Sequence, residues 1–235
     1  MGLTIHYTCS VKDDLSSGPI YQMAQRTADY ARKIGCAKVS PLIPAKEHPE
    51  DAPLFFRVGK AKDGTFGAVR PWRGWLVDVW PGAGCETATL GLCQYPEWTT
   101  LDGKRVPTGC GRGWRFHSFC KTQYAGEHGW DNFLKCHLLV ISLLDFWRSM
   151  GVRVKVNDEG GYWKTRSIEK LREELAQYDS LLAAAGGIFK DAEGGLTVKS
   201  PIFDYKNFER LEHEGWQKFG GRLQQLRGSL SKNAR

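Results

Sequence analysis

An α+β fold, with a mixed or antiparallel sheet and helices packed mainly on one face, is predicted by three features of the sequence. Period-two alternation of apolar and polar residues marks several short strands. Apolar residues at helical spacing mark long helices. Turn residues separate neighbouring strand patterns closely enough for antiparallel return. The chain has 235 residues, 41% hydrophobic and 25% charged, the balance of a protein that buries a core.

Leu3, Ile5, Tyr7 and Cys9 alternate with Thr4, His6 and Thr8, the pattern of a half-buried first strand. Ser16-Ser17-Gly18-Pro19 then supplies a helix start, and apolar spacing predicts a helix over 20–34 that stops at Gly35. Val39 to Ile43 reads as a short strand, Pro44 to Pro53 as a loop and Leu54 to Val58 as a further strand, with a hairpin turn at Asp63-Gly64. Trp75–Trp80 and Thr87–Cys93 flank Pro81-Gly82-Ala83-Gly84 and are predicted to pair antiparallel. Tyr95 to Gly113 reads as a long loop.

Trp114 to Tyr124 is a predicted strand with Trp114, Phe116, Ser118, Cys120, Thr122 and Tyr124 on one face, and Arg115, His117, Phe119, Lys121 and Gln123 on the other. The helix predicted over 130–150 is apolar on most sides and therefore central. Gly151 ends it, Val152 to Val156 follows as a strand, and 158–161 turns. A third helix is predicted over 168–184, a hairpin over 188–199 and a fourth helix over 208–219, with a frayed tail after Gly220. Strand, helix, Gly and strand recur in the same order from His6 and from His117. That echo suggests a duplicated β-α-β unit within 1–80 and 110–160. The expected organisation is one α+β domain over 1–200 and a basic helical extension over 201–235.

Composition narrows the function classes. The most apolar window, Leu138 to Leu144, is far shorter than the about 20 residues that cross a bilayer, so no membrane partner is expected. Met1 to Ile5 enters a strand pattern at once, with no export signal, and seven scattered cysteines fit reduced thiols in a cytoplasm. Formal charge is +7. Residues 199–235 hold eight Lys/Arg against four Asp/Glu, so +4 of the excess is local to that end.

Cys110, His117, Cys120, Cys136 and His137 are the residue types zinc prefers, but His117 and Cys120, three apart on a strand, point to opposite faces, so no metal is expected. No glycine run has the strand-to-helix setting of a phosphate loop, and no cofactor is predicted. Cys85 follows a glycine turn whose amides could activate a thiol. The candidate catalytic groups are Glu86, Cys120, Lys121 and Asp158, with Tyr124, His137 and Glu159 as ligand-binding neighbours: Glu86, Lys121, Tyr124, Asp158 and Glu159 fall at strand ends and adjoining turns, and Cys120 is a candidate nucleophile with His137 or His117 as its base. Lys218, Arg222 and Arg227, with Trp216 and Phe219, form a basic aromatic stretch suited to nucleic acid. Trp72 and Trp98 stand in loop contexts and are expected to be exposed.

The segments 84–96 (GCETATLGLCQYP) and 119–125 (FCKTQYA), together with Asn157-Asp158-Glu159, resemble a family of bacterial proteins without an assigned activity. The resemblance covers about residues 3 to 190. It implies a bacterial cytosolic origin and no mechanism. The function expected is an intracellular small-molecule-binding or catalytic protein with a polar cleft between sheet and glycine-rich turns. The alternatives are a protein-interaction module, or a nucleic-acid-associated protein working through its basic C-terminal segment.

Overall fold

The computed structural model describes residues 3–11, 15–48, 56–60, 66–191, 201–204 and 207–233. For 56–60, 66–68, 189–191, 201, 204, 222 and 225–233 it describes the backbone alone. Strand β1 is Thr4–Ser10, and helix α1 is Ser17–Lys33, starting three residues earlier than the apolar spacing suggests. Helix α1 ends in a Schellman arrangement. Gly35, at φ +85°, donates its amide to Arg32 O and Cys36 donates to Ala31 O. The short strand expected near Val39 is split into β2 (Lys38–Val39) and β3 (Ile43–Pro44). Strands β4 (Phe56–Lys60) and β5 (Phe66–Val69) pair with each other; the turn expected at Asp63-Gly64 lies outside the described residues.

Strands β6 (Arg73–Trp80) and β7 (Ala88–Gln94) pair antiparallel across the glycine-rich turn, as the turn chemistry predicts. The stretch expected as one long loop contains a hairpin, β8 (Trp98–Leu101) and β9 (Lys104–Pro107). It is closed by Asp102 and Gly103, both at positive φ. Strand β10 is Arg115–Lys121, so Gln123 and Tyr124 leave the strand and enter a 3₁₀ turn, Gln123–His128. Helix α2 is Trp130–Ser149 and closes with the same Schellman pattern as α1, Gly151 donating to Arg148 O and Val152 to Trp147 O. Strand β11 (Arg153–Asp158) and the one-turn helix α3 (Tyr162–Thr165) follow. Helix α4 runs Ile168–Asp191 and α5 runs Phe208–Asn233. The expected hairpin is therefore helical through Asp191, its remainder lies outside the described residues, and the helix continues past Gly220.

The sheet order is β11-β1-β10-β7-β6-β2, with β3 also on β6, and every neighbouring pair is antiparallel. Strands β10 and β11 flank β1 and run parallel to each other. Thus β10-α2-β11 crosses over β1, while β1-α1-β2 crosses over three strands. Helices α1 and α2 cover one face. Ile20, Ala28, Phe133, Leu143 and Trp147 pack there against Ile5, Tyr7, Val77, Leu90 and Cys120. Full burial of Phe133 and of Leu143 contributes about 2–3 kcal/mol each.

On the other face of β6 and β7, Leu76 and Cys93 are covered by Ala45, Val69, Tyr95 and Cys110. Phe116 reaches this second cluster where β10 and β7 pair only at Arg115 and Cys93. Among the described residues, the outward face of β10, β1 and β11 carries no such cover. No helix among the described residues is long and apolar enough to cross a membrane.

Candidate functional site

The glycine-rich turn docks on the end of β10. Gly84, at φ +71°, approaches so closely that a Cβ there would lie 2.5 Å from Tyr124 O. Glu86 then exchanges backbone and side-chain bonds with Lys121: its amide donates to Lys121 O at 3.1 Å and its Oε2 accepts from Lys121 N at 3.1 Å. Lys121 Nζ lies 3.5 Å from Glu86 Oε1 and 5.5 Å from the Tyr124 ring centroid. Glu86, Lys121 and Tyr124 are therefore gathered at one end of the sheet.

Cys120 points inward, fully buried, its thiol donating to Glu86 O at 3.1 Å and lying 3.7 Å from Cys85 Sγ. The Cys120 thiol and burial push the Cys85 thiol well up, with Cys136 opposing. Cys85 and burial push Cys136 up in turn. Both stay protonated near neutral pH and lack thiolate reactivity. The Cys85 amide is occupied by Gly82 O, so it is not available to an oxyanion.

The Asp158 and His137 side chains are buried instead, unlike that half-buried group. His137 is fully buried, with Nδ1 3.0 Å from Thr122 Oγ1 and Nε2 3.5 Å from Asp158 Oδ1, a close approach without hydrogen-bond geometry. Asp158 accepts from Gly160 N at 2.9 Å and Trp163 N at 2.7 Å, which fixes the turn into α3. Burial pushes its carboxyl up, but the His137 imidazole and the two amides outweigh burial and hold it below the ordinary value. Glu159 returns to the surface group. Its Oε2 accepts from Thr4 N at 2.9 Å, Thr4 pairs with Lys121, and its Oε1 lies 4.0 Å from His6 Nε2.

Gln123, expected on the strand face of His117 and Lys121, is buried and bridges Leu3 N (3.0 Å, through Oε1) to Asp179 Oδ1 (3.0 Å, through Nε2). Burial raises the Asp179 carboxyl to about 6, against the Gln123 amide. An acid raised on folding favours the fold below its ordinary value near 4, and that contribution is lost as pH rises through about 6. Asp179→Asn keeps the acceptor for Gln123 and removes the charge. It should stabilise the protein by about 1–3 kcal/mol at pH 7.5 and by nothing at pH 4, read from urea denaturation.

The outward face of β10, β1 and β11 is a second concentration of functional groups, and the registers set its rows. Ser10 lies between Arg115 and Arg153, Thr8 between His117 and Lys155, and His6 between Phe119 and Asn157. Arg153, Lys155, Asn157, His117 and Phe119 are exposed, Phe119 at 37%. His6 and Phe119 rings lie 5.8 Å apart, and a cavity of about 230 Å³ opens among His6, Thr8, His117, Lys155 and Asn157. Burial and the neighbouring His6 hold the His117 imidazole below its ordinary value, so it is neutral near pH 7. Its Nδ1 lies 3.1 Å from Thr8 Oγ1. The polar side of β10 is legible from alternation, but Arg153, Lys155 and His6 join it only through pairing between distant strands.

Lys218 is exposed on α5, and the side chains of Arg222 and Arg227 lie outside those described. Cys110, His117, Cys120, Cys136 and His137 are dispersed over loop, outward face and core. No group of three or more His, Cys, Asp or Glu able to hold a metal ion occurs among the described residues. No family model, curated protein or solved structure matches this chain.

Proposed function

We propose that this chain binds single-stranded nucleic acid on the outward face of β10, β1 and β11. The observation that supports it is the rows themselves. The row of Phe119 and His6 has Lys121 one row to one side and Lys155 one row to the other, with Arg115 and Arg153 a row further on, and Glu86 and Glu159 are confined to the Lys121 end. Cations placed this way neutralise phosphates, and the two rings offer surfaces on which unpaired bases stack. The face is three strands wide, about 10 Å across and about 20 Å long. A B-form major groove fits an α-helix or a two-stranded ribbon, so a face three strands wide suits splayed, unpaired bases better than that groove. The net charge of +7 favours encounter with a polyanion.

The setting proposed is a bacterial cytoplasm, supported by seven free thiols and by the likeness of the 84–96 and 119–125 segments. Fluorescence anisotropy of a labelled oligothymidylate, titrated at several salt concentrations, tests the reading. Binding that weakens steeply with salt supports it, and no binding at low salt refutes it.

A second reading, a small anionic ligand held at the Lys121 end, is favoured by the gathering of Glu86, Lys121, Tyr124 and Glu159 around Thr4. Lys121→Met separates the two. It abolishes capture of a small anion but lowers the oligonucleotide salt slope by only about one.

A further inference from the structure

We infer that the cleft between Trp72 and the β8–β9 hairpin is a pocket for one unstacked nucleobase. The inference rests on the reading of the neighbouring sheet face as a nucleic-acid surface. The cleft has a volume of about 570 Å³, within the range of small-molecule sites, and Trp72, Arg73, Gln94, Glu97 and Trp98 are among its walls.

Two large indoles stand open on it, Trp72 at 47% and Trp98 at 46% exposure, where burial would otherwise stabilise the fold. Each carries a guanidinium over one face: Arg73 lies 4.4 Å from the Trp72 ring centroid and Arg105 lies 4.7 Å from that of Trp98. Such an indole is held in place and can offer its other face to a planar ring.

The wall is built in advance. Arg73 Nε donates to Gln94 Oε1 at 2.5 Å, and Gln94 Nε2 donates to Arg112 O at 3.0 Å. Gln94 itself is only 6% exposed, so both ends of its amide are committed to fixing Arg73 between Trp72 and Trp114. A preformed wall lowers the ordering cost of binding. Among the lining residues Arg73 and Arg112 stand against Glu97, which is paired with Arg112 at 2.6 Å, so the cleft carries an excess of one positive charge that suits a segment of a polyanion.

Its place in the fold supplies the link to the sheet. Gln94 follows Cys93, the residue that pairs with Arg115, and Arg112 lies three residues before Arg115. A strand laid along β10 from Phe119 past His117 to Arg115 arrives at the cleft.

The test is anisotropy with a labelled oligothymidylate on wild type and Trp72→Ala/Trp98→Ala, both side chains being surface-exposed and the fold checked by circular dichroism. The inference expects affinity to fall about 5- to 100-fold, the range of one lost base stack, with the salt slope unchanged because no phosphate contact is removed. One abasic residue walked along the oligonucleotide should reproduce the loss at one position in wild type and add nothing in the variant. Wild-type affinity in the variant overturns the base pocket and leaves the sheet-face reading standing. No binding by wild type overturns the sheet-face reading and this inference with it.

Discussion

Reversing two charges on the edge strand, R153E/K155E, should weaken oligonucleotide binding by about 100-fold or more at moderate salt, and lower the dependence of log K on log salt by about two. Arg153 and Lys155 are exposed, and neither has an ion-pair partner among the described residues. The substitutions should therefore move stability by only about 0.5 kcal/mol. They flank Ser10 and Thr8, opposite Arg115 and His117, so the new carboxylates would face the phosphates from one side of the platform. Lys218→Glu, on α5, is the control that separates the two basic regions. The sheet reading expects nearly wild-type affinity for it, whereas a loss equal to that of R153E/K155E would move the binding surface to the C-terminal helix.

Asp158→Ala should destabilise the protein by about 3–5 kcal/mol, the cost of removing one partner from a buried polar pair. The carboxylate satisfies two backbone amides, Gly160 and Trp163, and stands beside the buried imidazole of His137. Its removal leaves those donors without an acceptor, and alanine restores none of them. The folded carboxyl is held below its ordinary value, so its contribution is present above about pH 4 and is lost as pH falls through the lower, folded value. Asp158→Asn keeps one acceptor but not the charge. It should give an intermediate loss at pH 7 and flatten the acid limb of stability against pH. Urea denaturation across pH 3–8 measures both; a loss under about 1 kcal/mol with an unchanged acid limb would contradict the pairing.

Local chemistry made much of this fold legible. Alternation identified β1 and the two sides of β10, and Gly35 and Gly151 marked helix ends that the Schellman bonds account for. Asp102-Gly103 carried a hairpin signal of the same type as Asp63-Gly64, yet the prolines and polar residues around it read as loop.

The third helix is expected to end at 184, yet it continues through Gly186 and Gly187, residues that weaken an isolated helix. In the fold those positions are points of close approach. A Cβ on Gly186 would lie 2.8 Å from Phe203 Cε1, and one on Gly187 would run into Glu212 on α5. Tertiary packing supplies the reason for glycine there, and it acts across a gap in sequence that local pattern does not register. The same limit applied to the site. Glu86, Lys121 and Tyr124 were found through their turns, whereas the rows that unite Arg115, His6 and Lys155 depend on the registers of β1 with β10 and β11, strands more than a hundred residues apart.

The most direct test of the sheet face as a nucleic-acid surface is photo-crosslinking of an iodouracil-substituted oligonucleotide to the full chain, followed by peptide mass mapping. The account predicts adducts on the β10 segment at Phe119 and on the β1 segment at His6. Adducts confined to residues 208–233, or none under conditions where the oligonucleotide is bound, would contradict it.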